Sequence, residues 1–219
     1  MASKKRARPY HHGDLKRALI DASLGLLRDE GLEALTVAEI GRRVGVSSAA
    51  PYKHFADRQA LLCAVAAEGN RLLNEAIFEA VGDTSDPEAA FRLSGVAYVR
   101  WAAENPALYR LVTDPALTDY DAPPDVDVPE AMRGSMDTFW IQLAALVRSG
   151  DSIPHGHPLV AQLRGRALAH GLAELFVSGV FDSIGITVRD AQRIAHAVTG
   201  SGGGNATPAI SPRRKTARR

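Results

Sequence analysis

The chain has 219 residues, 46% hydrophobic and 23% charged, with one cysteine and a formal net charge of +1. This is globular composition, sufficient for one or two cored domains. No run of 18 apolar residues is present, which excludes a predicted transmembrane helix, and the basic N-terminus "MASKKRARPYHHGDLK" has no apolar stretch behind it, which excludes a secretory signal. A cytoplasmic protein is expected, and the lone Cys63 suits a reduced compartment and a packing role. The small net charge hides an asymmetry. Residues 1–58 carry 11 basic and 7 acidic side chains, residues 59–199 carry 10 and 18, and residues 200–219 carry five basic ones and no acid. A basic head on an acidic body points to a polyanion that touches the head.

In chain order, residues 1–12 read as a basic flexible arm carrying Lys4, Lys5, Arg6 and Arg8. Leu15, Ala18, Leu19, Ala22 and Leu26 recur at spacings of three and four and predict a helix that stops near Gly31. "TVAE", Thr36 to Glu39, is a capping-box pattern, and it opens a short helix to about Val44 with Val37, Ile40 and Val44 inward. Gly45 permits a sharp turn and Val46 can plug the angle beyond it. Ser47 is expected to cap a second short helix, roughly Ser48 to His54, and Asp57 a long one to about Ala80. Further on, Asp86 and Pro87 open a helix that Asn105-Pro106 ends near Glu104. Residues 113–128 are acidic and proline-rich and predict a surface loop. Helices are expected at 129–149, 158–180 and 187–199. No segment alternates with period two, so the fold class is all-α. The glycine-rich, then basic, stretch 200–219 reads as a disordered tail.

A capping box, a helix, a glycine turn and a capped second helix within about 20 residues spell a helix-turn-helix, whose second helix enters the DNA major groove. In the register of "LEALTVAEIGRRVGVSSAAPYKHFADRQALLCAV", Thr36, Ile40, Gly45, Val46, Ser47, Tyr52, Phe55 and Leu61 fall where the tetracycline-repressor (TetR) family of bacterial transcription regulators has such residues, and residues 13–73 resemble that family's DNA-binding domain. "RPYHHGDLKRAL" and Ala49-Ala50-Pro51 are similar to a subgroup with a WHG-type C-terminal domain. Here "RGRALAHGLAEL" keeps His170 and Gly171 but has Arg166 at the subgroup's tryptophan position. The resemblance implies a three-helix N-terminal head and a helical effector-binding and dimerisation body at 74–199. It also implies a homodimer on double-stranded DNA, released by a small-molecule effector.

The reading segment opens with small residues, which let the backbone approach base edges. Ala49 and Ala50 offer apolar contact, suited to a thymine methyl. Ser48 suits a base or a phosphate, and Lys53 and His54 reach furthest. Specificity is then expected from few base contacts together with DNA shape. The phosphate candidates are Thr36, Arg43, Ser47, Tyr52 and Arg58; the family places a lysine at the Arg58 position. Phe55 is expected in the core, and Arg42 on a solvated face.

In the body, Tyr98, Trp101, Tyr109, Phe139 and Trp140 are either core or the lining of a cavity for an apolar or aromatic effector, with His170 a candidate polar contact. Leu159, Leu163, Leu168, Leu172, Leu175 and Phe176, interleaved with Gly165, Ala169 and Gly171, give helix 158–180 more apolar surface than one partner needs. Helices 158–180 and 187–199 are therefore the expected dimer interface, as half of a four-helix packing. The histidine pairs His11-His12 and His155/His157 lack the company of metal ligands, so no metal, cofactor or nucleophile set is predicted. Two rival functions stay open: a non-specific DNA-packing protein using arm and tail as tethers, and a helical enzyme whose cavity is an active site.

Overall fold

The computed structural model describes residues 12–117, 139–150, 154 and 156–199, with the side chains of residues 12–14 and 139–141 excepted. The arm before residue 12, most of the acidic loop, the first half of the expected helix 129–149, His155 and the basic tail all lie outside these residues.

Among the described residues the protein is all-α, with no strand. The head comprises α1 (His12–Glu30), α2 (Val37–Val44) and the start of α3 (Arg58–Val81). The body adds α4 (Pro87–Glu104), α5 (Pro106–Val112), α6 (Phe139–Arg148), α7 (Pro158–Val177) and α8 (Ala191–Thr199). Local chemistry sets most boundaries. Thr36 Oγ1 accepts from Glu39 N at 3.2 Å and Asp57 Oδ1 from Ala60 N at 2.8 Å. Asp86 Oδ1 accepts from Glu88 N at 3.0 Å, ahead of Pro87 in the first turn of α4. Gly45 ends α2 in the left-handed conformation, φ 77°, which costs glycine little.

Three boundaries differ from expectation. The "TVAE" box closes only halfway, because the Glu39 carboxylate is taken by Arg42 and Arg43. Helix 158–180 ends at Val177, and a 3-10 turn, Val188–Asp190, precedes α8. Thr187 begins that turn by donating its N–H to Asp190 Oδ2 at 3.0 Å.

One continuous apolar cluster runs from head to body. It joins Leu15, Leu19 and Leu26 of α1, Ile40 of α2, Phe55 ahead of α3, Leu61 and Val65 within α3, Trp101 of α4, Tyr109 of α5 and Val177 of α7. Each wholly buried leucine contributes about 1.5–3 kcal/mol relative to exposure. A second cluster packs Val96 and Val99 of α4 against Leu172 and Phe176 of α7 and Ala195 of α8. α3 belongs to both halves of the molecule. Its Gly69 admits α5 so closely that a β-carbon there would lie 2.7 Å from Val112 and 2.8 Å from Leu108. Gly165 of α7 is likewise filled by Phe91 of α4. That glycine and the buried Ala169 thus pack within the chain, while a β-carbon on Gly171 would meet nothing within 4 Å.

Candidate functional site

The reading segment hangs between α2 and α3. Its inner residues are Pro51, less than 2% exposed, and Phe55, 2% exposed. Pro51 lies directly on Gly41 of α2, where a β-carbon would come within 2.4 Å of the proline ring. With those two anchored, Ser47, Ser48, Ala49, Tyr52 and Lys53 face solvent, and Ala50 and His54 are half-buried. The His54 ring leans on Phe55, centroids 6.5 Å apart.

The expected helix Ser48–His54 does not form. In its place are turns and a short 3-10 stretch, Pro51–Lys53. An α-helix there would need the amide of residue 51 to bond the Ser47 carbonyl, and proline has no N–H. That carbonyl instead accepts from Ala50 N at 3.0 Å, and His54 N returns to Pro51 O at 2.9 Å. The 3-10 stretch is preceded by Ala50, not Ser47, and no side chain caps it.

The basic candidates are less free than the sequence suggests. Arg42 forms a two-point bond to Glu39, Nε to Oε2 at 2.8 Å and Nη2 to Oε1 at 2.7 Å. Arg43 donates Nε to Glu39 Oε1 at 2.8 Å and Nη2 to Glu30 at the end of α1. Hydrogen bonds from Arg42, then Arg43, hold the Glu39 carboxyl at about 2, below its ordinary 4.5. A phosphate at Arg43 would meet its remaining N–H groups or exchange with these carboxylates. The Arg58 guanidinium is committed to backbone carbonyls, Nε to Leu35 O and Nη2 to Leu32 O, both at 2.9 Å. Thr36 is exposed at the start of α2 with its hydroxyl oxygen engaged as the cap.

Of the six effector candidates, three converge. Tyr98 on α4 and Tyr109 on α5 each bring a hydroxyl within 3.0 Å of His170 Nδ1 on α7, and the two hydroxyls are 3.4 Å apart. The Tyr98 and Tyr109 rings meet edge-on, centroids 5.9 Å apart. Trp101 is buried in the same apolar core but is not part of this trio. Phe139 and Trp140 open α6 with side chains outside the described residues. Arg166, at the position of the missing tryptophan, has its pKa lowered by burial. His157 caps α7, its Nδ1 accepting from Leu159 N at 3.2 Å.

Sequence reasoning missed the ion network that joins α1 to α3. Glu68, 8% exposed, receives Arg17 Nη1 at 3.0 Å and Arg71 Nη2 at 2.7 Å, and Arg71 also pairs with Glu75. The spacing of Glu68, Arg71 and Glu75 along one helix was readable; the partner from α1 was not. Arg71 above all, then Arg17, hold the Glu68 carboxyl below its usual range against the opposing effect of burial.

A family described as "Bacterial regulatory proteins, tetR family" matches residues 19–65, and one described as "Tetracyclin repressor-like, C-terminal domain" matches residues 91–200. A solved structure of a protein of unknown function from Rhodococcus sp. RHA1 is 34% identical, with a TM-score of 0.60, over 88% of this chain and 97% of that one. The fatty acid degradation regulator FadR from Bacillus halodurans shares the fold at 16% identity and a TM-score of 0.53, over 90% and 98% of the two chains. An HTH-type transcriptional regulator of Mycobacterium tuberculosis is 27% identical over 139 residues, 63% of this chain and 59% of that protein. The match thus spans less than two thirds of the curated relative's length.

Proposed function

The chain belongs to the TetR family of DNA-binding transcription regulators, and from that premise we propose that it is a repressor. In this reading it binds an inverted-repeat operator as a homodimer and leaves it when a small molecule occupies the body. The observation that carries the DNA part is the reading segment, pinned from behind by Pro51 and Phe55 with its small and polar residues turned outward. Ser48, Ala49, Ala50, Lys53 and His54 are the proposed base readers, and Thr36, Ser47, Tyr52 and a released Arg43 the proposed phosphate contacts.

Leu168, Leu175, Val180, Ile184 and Val188, 38–67% exposed, support a subunit interface across α7 and the turns leading to α8. The Tyr98–Tyr109–His170 trio supports an effector with an apolar or aromatic body and a group that exchanges hydrogen bonds with those tips. Such a ligand acts through its difference in affinity between two states. It shifts the tilt of α3 and so the spacing of two reading segments, which must stay near one DNA turn, ~34 Å, or a multiple. The site of action is the cytoplasm, and no helix among the described residues is long and apolar enough to cross a membrane.

The test is selection of random duplex DNA by the purified chain at near-physiological salt. Recovery of an inverted repeat supports the symmetric reader. Binding without a motif that fades smoothly as salt rises overturns it in favour of a packing protein, and turnover of a captured ligand would make the body an enzyme.

A further inference from the structure

We propose that Arg58 is a clasp that holds the DNA-reading unit in shape, a positioning residue and not a phosphate contact; the inference rests on the DNA-binding reading above. The reading unit, α2 with the segment behind it, occupies residues 36–57. Leu35 precedes it and Arg58, the first residue of α3, follows it. The two ends are joined by the Arg58 guanidinium, whose Nε and Nη2 hold the carbonyls of Leu35 and Leu32 at 2.9 Å each.

Those carbonyls lie where the chain changes course. The 3-10 turn Leu32–Ala34 closes on itself, Leu35 N to Leu32 O at 3.1 Å, and the backbone then leaves in an extended conformation, φ −74° and ψ 96° at Leu35. The Leu35 side chain is wholly buried, and its carbonyl is held by the guanidinium in a part-buried bond. Thr36, the cap of α2, comes next. Whatever fixes Leu35 therefore fixes the angle at which α2 enters the head. Two donors of one rigid plane fix rotation as well as distance, which a single point charge does not. The same plane leads into α3, whose Gly69 is pressed against α5 and whose Glu68 holds Arg17 of α1. The start of α2 thus moves with α3. The two carbonyls take two of the five guanidinium N–H groups and fix the plane in which the others lie.

The test compares the full-length parent with Arg58→Lys and Arg58→Ala on duplex DNA that the parent recovers from a random pool. Affinity is titrated over a salt series and the thermal midpoint of each protein is recorded. The clasp requires both variants to lose affinity on the order of tenfold while the slope of log affinity against log salt stays parental, because no phosphate contact is lost. Parental affinity in Arg58→Lys, with a slope shallower by about 0.9 in Arg58→Ala, makes Arg58 a phosphate contact and overturns the clasp. Lower thermal midpoints with parental affinity in both variants also overturn it, since the arginine then serves stability alone. Should the alanine variant fail to fold, the lysine variant decides by itself. A parent that binds no DNA fails the underlying reading, which is visible before any variant is compared.

Discussion

Gly41→Ala isolates the contact that sets the reading segment. In the interior of a helix the substitution stabilises by about 0.5–1 kcal/mol, because alanine loses less backbone freedom on folding. Gly25 of α1 should show that gain, since a β-carbon there meets nothing within 4 Å. At Gly41 the new carbon would lie 2.4 Å from the Pro51 ring, well inside contact distance. A buried proline ring cannot swing aside as a lysine tip would. Overpacking of this kind costs about 1–3 kcal/mol, so Gly41→Ala should destabilise the chain by about 1 kcal/mol net and displace the segment proposed to read DNA. Urea unfolding of Gly25→Ala, Gly41→Ala, Pro51→Ala and the Gly41→Ala/Pro51→Ala pair measures this. Gly41→Ala should be unfavourable beside proline and favourable once the ring is gone, a coupling that a double-mutant cycle reports directly. The same stabilising increment in both backgrounds would refute the docking.

Glu39→Gln tests the arginine pair. The folded-state carboxyl lies at about 2, below its ordinary 4.5. Its stabilisation is therefore complete above 4.5 and lost as pH falls toward 2, so the gap in urea midpoint between parent and variant should close over that window and stay constant at neutral pH. Tyr109→Phe deletes a hydroxyl bonded to His170 on a side chain only 1% exposed. It should cost about 0.5–1.5 kcal/mol in denaturant unfolding; an unchanged midpoint would dissolve the trio. Tyr52, 50% exposed, contributes no core, so Tyr52→Ala should leave the thermal midpoint alone and weaken binding to every duplex tested. Lys53→Ala should relax preference at a single base position in repeated selection; the parental motif would remove Lys53 as a reader.

What the sequence revealed is what local chemistry decides. Thr36, Asp57 and Asp86 cap the helices they were expected to cap, and Asn105-Pro106 separates α4 from α5. In each case the partners lie within four residues. What the sequence did not show depended mostly on partners outside the local pattern of caps. The same pattern of caps promised a helix at Ser48–His54; the missing N–H of Pro51 was legible there, but its docking on Gly41, which holds the 3-10 turn in place, was not. Family likeness marked Arg58 for a phosphate and gave no sign of the two carbonyls it also holds, 23 and 26 residues away. In the body, aromatic spacing marked Tyr98, Tyr109 and Trp101 alike. Which two of them meet His170 depends on how α4, α5 and α7 cross, and the pattern of one helix carries no record of that. Glu39 shows a subtler limit: "TVAE" is a valid capping box until two arginines one turn later compete for its carboxylate.

The unbroken run of α3 from Arg58 to Val81 has a consequence for how such molecules can be recombined. A chimera cut at residue 73, the expected edge of the DNA-binding domain, would divide one helix and one apolar core, leaving Leu73, Ile77 and Val81 to fit whatever body they were joined to. Transplanting this head means carrying the whole of α3 together with the α5 surface that presses on Gly69. The DNA-binding head and the C-terminal body are thus inherited here as a matched pair rather than as separable modules.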